Sequence, residues 1–251
     1  MRLALWQDYS PMGNIDAALI GITRAAQAAG VMGADMLVLP ESFLPGYNHP
    51  DLAALALAGD DPALGRIAGI CRAAGCGLVL GYAERHGAQV YNTALAFDAQ
   101  GQIVARYHKM QLYGPREKAI YTPGAAYATF DLNGQKAALL ICYDVEFAPH
   151  IAALAAQGVR VILVPTANME PFDHVVRHTV PAMAANYGVT IVYANYCGVE
   201  GDLTYVGGSL IAGPHGEILA QAGRQPTLLV ADVPDRIGWR LTSQAEDFRA
   251  V

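Results

Sequence analysis

The chain has 251 residues, 53% of them apolar and 15% charged, with a formal charge of -6. Its Lys and Arg are scattered rather than grouped into a basic patch, which excludes a nucleic-acid surface, and no apolar run approaches the roughly 18 residues needed to span a bilayer. No linker, charge block or low-complexity stretch divides the sequence, so a single domain over residues 1–251 is expected. The first strand-like residues soon meet polar Gln7-Asp8. With neither the apolar core nor the cleavage site of a signal peptide, a cytoplasmic location is expected.

In chain order, residues 3–7 read as a strand, and residues 15–29 as a helix with Asn14 as N-cap. Residues 35–40 form a short, continuously apolar strand of the kind buried on both faces. A helix over 62–74 precedes strands at 77–84, 90–97 and 103–107, the last two joined by the turn Asp98-Ala99-Gln100-Gly101. The second half opens with a strand over 136–142 and a helix over 147–157. A strand over 161–164 and a helix over about 172–187 follow. Strands at 190–195, 209–212, 218–221 and 227–232 complete the set. Residues 36–40 and 161–165 look related and hint at an internal repeat. Buried strands with two pairs of helices predict two sheets packed face to face with helices outside. A (β/α)8 barrel is the competitor, and three consecutive strands between 77 and 107 fit it poorly.

Cys142 ends the apolar run Leu139-Leu140-Ile141 and begins a polar turn. Ligands of open α/β sheets bind at such carboxyl ends of strands, and a thiol there becomes a nucleophile once a base or a positive neighbour activates it. Glu41 follows Val38-Leu39-Pro40 and enters the loop Ser42-Phe43-Leu44-Pro45-Gly46-Tyr47. A carboxylate in such apolar surroundings is costly, and its pKa rises toward the range of a general base. Lys109 is the third candidate, an ammonium able to favour thiolate and hold an oxyanion.

Together these segments resemble the nitrilase, or carbon-nitrogen hydrolase, superfamily. Leu37-Val38-Leu39-Pro40-Glu41, Tyr107-His108-Lys109-Met110-Gln111-Leu112 and Leu139-Leu140-Ile141-Cys142-Tyr143-Asp144 occur in family order. Tyr121-Thr122-Pro123-Gly124, Val164-Pro165-Thr166-Ala167-Asn168 and Tyr193-Ala194-Asn195 add to the match. The resemblance implies a four-layer α-β-β-α sandwich and a Glu41-Lys109-Cys142 triad. It further implies Glu117 as a second positioning acid, the Tyr143 N–H as an oxyanion donor, and no metal or organic cofactor. Cys142-Tyr143-Asp144 and the stretch Leu112-Tyr113-Gly114-Pro115-Arg116-Glu117 resemble amidases, which implies hydrolysis of a small carboxamide. A nitrilase, an N-carbamoyl amine or amino-acid hydrolase, and a non-catalytic binding protein are the alternatives. A homodimer or larger homo-oligomer is expected by resemblance.

Tyr47, Tyr113, Tyr143, Phe147, Asn168 and Phe43 are candidate pocket residues, and Arg116 or Arg177 could meet a substrate carboxylate. The sequence departs from the family pattern in two places: Phe147-Ala148-Pro149-His150 stands where Phe-Pro-Glu is common, and Met183 and Asn186 replace a usual Arg and Glu, which puts the pocket wall or a subunit contact there in question. Cys71 and Cys76 fit neither a redox nor a zinc motif and read as small buried hydrophobes. His174 and His178 have chelating spacing but no third ligand, and read as helix-surface residues. His108 reads as structural. Pairing of Cys142 with His150 or His178 in a protease-like arrangement leaves the Pro40-Glu41 and Lys109 matches unexplained.

Overall fold

The computed structural model describes residues 1–233, 240–247 and 249. The first half contains β1 (Arg2–Gln7), α1 (Ile15–Val31), β2 (Met36–Val38), β3 (Leu57–Ala58), α2 (Pro62–Ala74), β4 (Gly77–His86), β5 (Gln89–Phe97) and β6 (Ile103–His108). The second contains α3 (Gly114–Ile120), β7 (Ala128–Leu132), β8 (Gln135–Leu139), α4 (Ala148–Ala156), β9 (Val161–Pro165), α5 (Val180–Tyr187) and β10 (Thr190–Ala194). It continues with β11 (Cys197–Glu200), β12 (Leu203–Val206), β13 (Leu210–Ala212), β14 (Ile218–Gln221), β15 (Thr227–Asp232) and α6 (Gln244–Asp247).

Strand periodicity explains the layering. In the first sheet, ordered β15-β1-β2-β4-β5-β6, successive side chains point to opposite faces. Leu3, Leu5, Met36, Val38 and Val79 join a core shared with the second sheet. Ala4, Leu37, Leu39, Leu78 and Leu80 meet Leu19 and Ile22 of α1 and Leu64 and Ile67 of α2. The second sheet, ordered β14-β13-β10-β9-β8-β7, carries α4 and α5, whose Ile151, Leu154, Val180 and Ala184 are buried. This is the α-β-β-α sandwich, not the barrel.

The related segments 36–40 and 161–165 occupy matching places. β2 lies between parallel neighbours β1 and β4, and β9 between parallel neighbours β8 and β10. Buried on both faces, neither strand has a polar side, which is why both read as unbroken apolar runs.

The helix ends follow their sequence signals. Asn14 Oδ1 accepts the Ala17 N–H at 2.9 Å, and α2 starts with Pro62 behind the Asp61 cap and stops at left-handed Gly75. Cys71 and Cys76 are free and buried. Two expectations need correction. The strand before Cys142 ends at Leu139, and the region 172–187 is a π-helical turn, Val175–Thr179, running into a shorter α5. No described helix is long and apolar enough to cross a membrane.

Candidate active site

Three loops at the carboxyl ends of strands bring the candidate groups together. Glu41 lies just beyond β2, where its N–H donates to Thr166 O at 3.2 Å and its carbonyl accepts the Tyr196 hydroxyl at 2.8 Å. The loop presses on β4 at Gly81, where an added Cβ would lie 2.3 Å from Pro40 O and 2.8 Å from Glu41 Cα. Only glycine fits that approach.

Lys109 follows β6. Its carbonyl accepts the Gly124 N–H at 2.8 Å, and a Cβ on Gly124 would meet His108 O at 2.1 Å. The Tyr121-Thr122-Pro123-Gly124 segment therefore clamps the lysine's backbone. Its Tyr121 hydroxyl lies 3.1 Å from Ser42 Oγ beside Glu41.

Cys142 opens a 3₁₀ turn, Cys142–Glu146, with φ +46°. For a residue carrying a Cβ this left-handed conformation costs about 1–2 kcal/mol. Asp144 offsets the strain: its carboxylate accepts the N–H of Ile141 at 3.1 Å, the N–H of Gln111 at 2.7 Å and the Tyr107 hydroxyl at 2.8 Å. The acid thus ties the cysteine turn to the segment bearing Lys109.

Glu41, Lys109 and Glu117 are fully buried. Lys109 Nζ donates to Glu41 Oε1 at 2.7 Å and to Glu117 Oε1 at 2.8 Å. Glu117 also accepts the Tyr47 hydroxyl and the Tyr113 N–H, each at 2.8 Å. Asn92 Nδ2 donates to Glu41 Oε1 at 2.7 Å. Glu41 Oε2, by contrast, is buried with no hydrogen-bond partner. A buried oxygen without a partner is an expensive feature in a folded protein.

The charges tune one another. Burial, opposed by the Lys109 ammonium and aided by Glu117, pushes the Glu41 carboxyl up to about 7. Burial pulls Lys109 down, but Glu117 and Glu41 outweigh it and hold the ammonium well above its ordinary value. Desolvation and then Glu41 push the Cys142 thiol well up, while Lys109 and the Ala167 N–H oppose them. The resting pair is therefore a protonated thiol beside a carboxyl that titrates near neutrality. Such a pair suits base-assisted attack, with the proton leaving sulfur as the bond forms.

Cys142 opens on a cavity of about 230 Å³. Tyr47, Tyr113, Tyr143 and Asn168 line it together with Glu146, Ala167, Met169, Phe172 and His174. Tyr113 packs edge-on against Tyr143 and Phe172, with centroids 5.4 and 5.9 Å away. The volume falls below the roughly 300–1,000 Å³ of sites for drug-sized ligands, so it suits a small molecule.

Other candidates lie elsewhere. Phe147 supports Tyr143 from behind, edge-on at 4.8 Å, rather than lining the cavity. Phe43 is core, packed between Trp6 and Tyr196. Arg116 donates to the carbonyls of Tyr47 and His49, and exposed Arg177 pairs with Asp173 at 2.9 Å. Neither guanidinium faces the cavity. Met183 and Asn186 do not line it either; Met183 packs against the core and Asn186 is exposed. His108 pairs with Glu84 at 3.0 Å and stacks on Tyr91. His150 lies within hydrogen-bond reach of Tyr127 and Gln111. His174 and His178 are both exposed, as their reading as surface residues expects, and His174 also lines the cavity. Among the described residues, no three His, Cys, Asp or Glu side chains are grouped to hold a metal.

Sequence reasoning missed Asn92, Glu146, Phe172 and His174. Asn92 sits mid-strand with no motif around it. The other three are brought to the cysteine only by the folding of the 142–146 turn and the 168–174 loop.

Residues 2–240 match the carbon-nitrogen hydrolase family. The chain is similar to the "hydrolase in pqqF 5′ region" of Pseudomonas protegens, 42% identical over 92% of this chain and 81% of that protein. It is 33% identical to an (R)-stereoselective amidase from Pseudomonas sp., over 79% of this chain and 73% of that protein. Among solved structures, an amidase from Nesterenkonia sp. superposes with a TM-score of 0.92 at 38% identity, covering 99% of this chain and 93% of that one. A cysteine-to-alanine variant of the Nesterenkonia sp. AN1 amidase has been solved with butyramide. It is 37% identical, with a TM-score of 0.92, over 99% of this chain and 94% of that one.

Proposed function

Because the chain belongs to the carbon-nitrogen hydrolase family, we propose that it is an amidase, converting a small carboxamide and water to a carboxylate and ammonia through a thioester on Cys142. The observation that carries this reading is Glu41 Oε2, buried without a partner, on an acid whose field bears on the sulfur at the cavity floor.

In this mechanism Glu41 takes the thiol proton as Cys142 Sγ bonds to the amide carbon. The Lys109 ammonium and the Tyr143 N–H hold the oxyanion. Glu41 returns its proton to the departing nitrogen as the C–N bond breaks, and ammonia leaves. It then deprotonates the water that attacks the thioester, and the released sulfur regains a proton. Glu117 keeps Lys109 in place through its bonds to Tyr47 and Tyr113. Everything the reaction needs is supplied by side chains and backbone, without a cofactor. A homodimer or larger assembly belongs to the same proposal, and light scattering reads it.

Ammonia release across a series of amides, the matching nitriles and N-carbamoyl compounds tests the reading. Turnover of short amides supports it. Nitrile or carbamoyl turnover with no amide turnover contradicts it.

A further inference from the structure

We propose that the cavity selects amides whose acyl chain ends in a positively charged amino group, with Glu146 as the residue that reads this charge. The inference rests on the amidase reading and concerns the substrate of that same site.

Glu146 ends the 3₁₀ turn that begins at Cys142, and it lines the same cavity. It is half-buried, and among the described residues its carboxylate has no hydrogen bond or ion pair. Burial pushes its carboxyl up from the ordinary value, and His174, followed by Lys109, opposes that push. An ammonium bound beside it would favour the charged form further.

The cations that could serve a carboxylate-bearing substrate are engaged elsewhere. The Lys109 ammonium is held by two glutamates, Arg116 by backbone carbonyls, and Arg177 by Asp173 on the surface. His174 is the one lining side chain able to carry positive charge, and its ring packs toward Phe172, 6.2 Å between centroids. Of the other lining residues, four are aromatic, beside Ala167, Asn168 and Met169. Tyr113, Tyr143 and Phe172 form an edge-on cluster that lines the cavity with Glu146, and an aromatic face attracts an ammonium held over it. A carboxylate, ring faces and a volume of about 230 Å³ describe a site for a short amino-amide.

The test compares kcat/KM at pH 8 for 4-aminobutanamide, its neutral counterpart pentanamide, and succinamate. The wild-type enzyme is expected to prefer the amino-amide over pentanamide by about tenfold, the low end for one hydrogen bond to a charged group, and to turn over succinamate most slowly. Glu146→Gln is expected to bring the ratio of amino-amide to neutral amide close to one. Equal or faster turnover of pentanamide by the wild-type enzyme overturns the inference while leaving the amidase reading standing. So does a preference that survives in Glu146→Gln. Should that variant not fold, the wild-type order of the three amides decides alone. Ammonia release from none of them overturns both readings.

Discussion

The chemistry turns on one buried acid with an idle oxygen. Glu41 must be a carboxylate to accept the thiol proton, and its surroundings favour the protonated form up to about pH 7. Since the base is lost on protonation, kcat/KM is predicted to fall about tenfold per pH unit below that point, as expected for one proton. A pH profile flat down to pH 5 would remove Glu41 as the base. Lys109 is tested differently. Lys109→Met leaves two buried glutamates without their shared cation. Breaking a buried ion pair from one side costs about 3–5 kcal/mol, so urea unfolding should shift to lower denaturant. The rate should also fall about 10²–10³-fold if an oxyanion donor is lost. A variant of unchanged stability would show that the cluster does not depend on its lysine.

Elements carry these residues to one another, and close backbone approaches set their aim. Gly81→Ala would drive a methyl into the Pro40–Glu41 backbone, and Gly124→Ala one into His108 O. Each is predicted to cost about 1–3 kcal/mol and to lower kcat more than it raises KM, because each shifts a reacting group rather than the cavity wall. Stability and kinetics of the two variants, measured side by side, check this. The strands and helices around these glycines were legible because their apolar patterns are strong: α2 was read at its true bounds, β2 as a buried strand and β9 as a strand. What escaped had weak local signals. α3 spans only seven residues and begins with Gly114-Pro115. β7 alternates apolar and polar residues but over only five positions, and β11 and β12 form a small two-stranded sheet apart from the two large ones. Cys142 was placed at a strand end, but its positive φ could not be read, since cysteine carries no sign of a left-handed position. Glu41, Lys109 and Glu117 stood out by motif. Glu146 and His174 did not, because a cavity wall is assembled from side chains distant in sequence.

Across the whole molecule, two sheets must meet in one register for three loops to converge. Gln7, at the end of β1, is a fastener between them. Its Nε2 donates to the carbonyls of Gly223 and Gln225, and its Oε1 accepts from the N–H and hydroxyl of Ser209. Gln7→Leu keeps the volume but leaves the buried Ser209 N–H without its acceptor, a loss of about 1–3 kcal/mol. That loss is read in chemical unfolding, and an unchanged midpoint would deny Gln7 that role. The overall architecture was readable from the strand pattern, whereas such cross-sheet ties were not, because Gln7 and Ser209 lie 202 residues apart.

The most direct measurement is the intact mass of the enzyme quenched during turnover of a short amide, with peptide mapping of any adduct. An acyl group on Cys142, formed with release of one ammonia and absent from Cys142→Ala, is the predicted result. Ammonia release by Cys142→Ala at the wild-type rate, or an acyl group mapped to another residue, would contradict it.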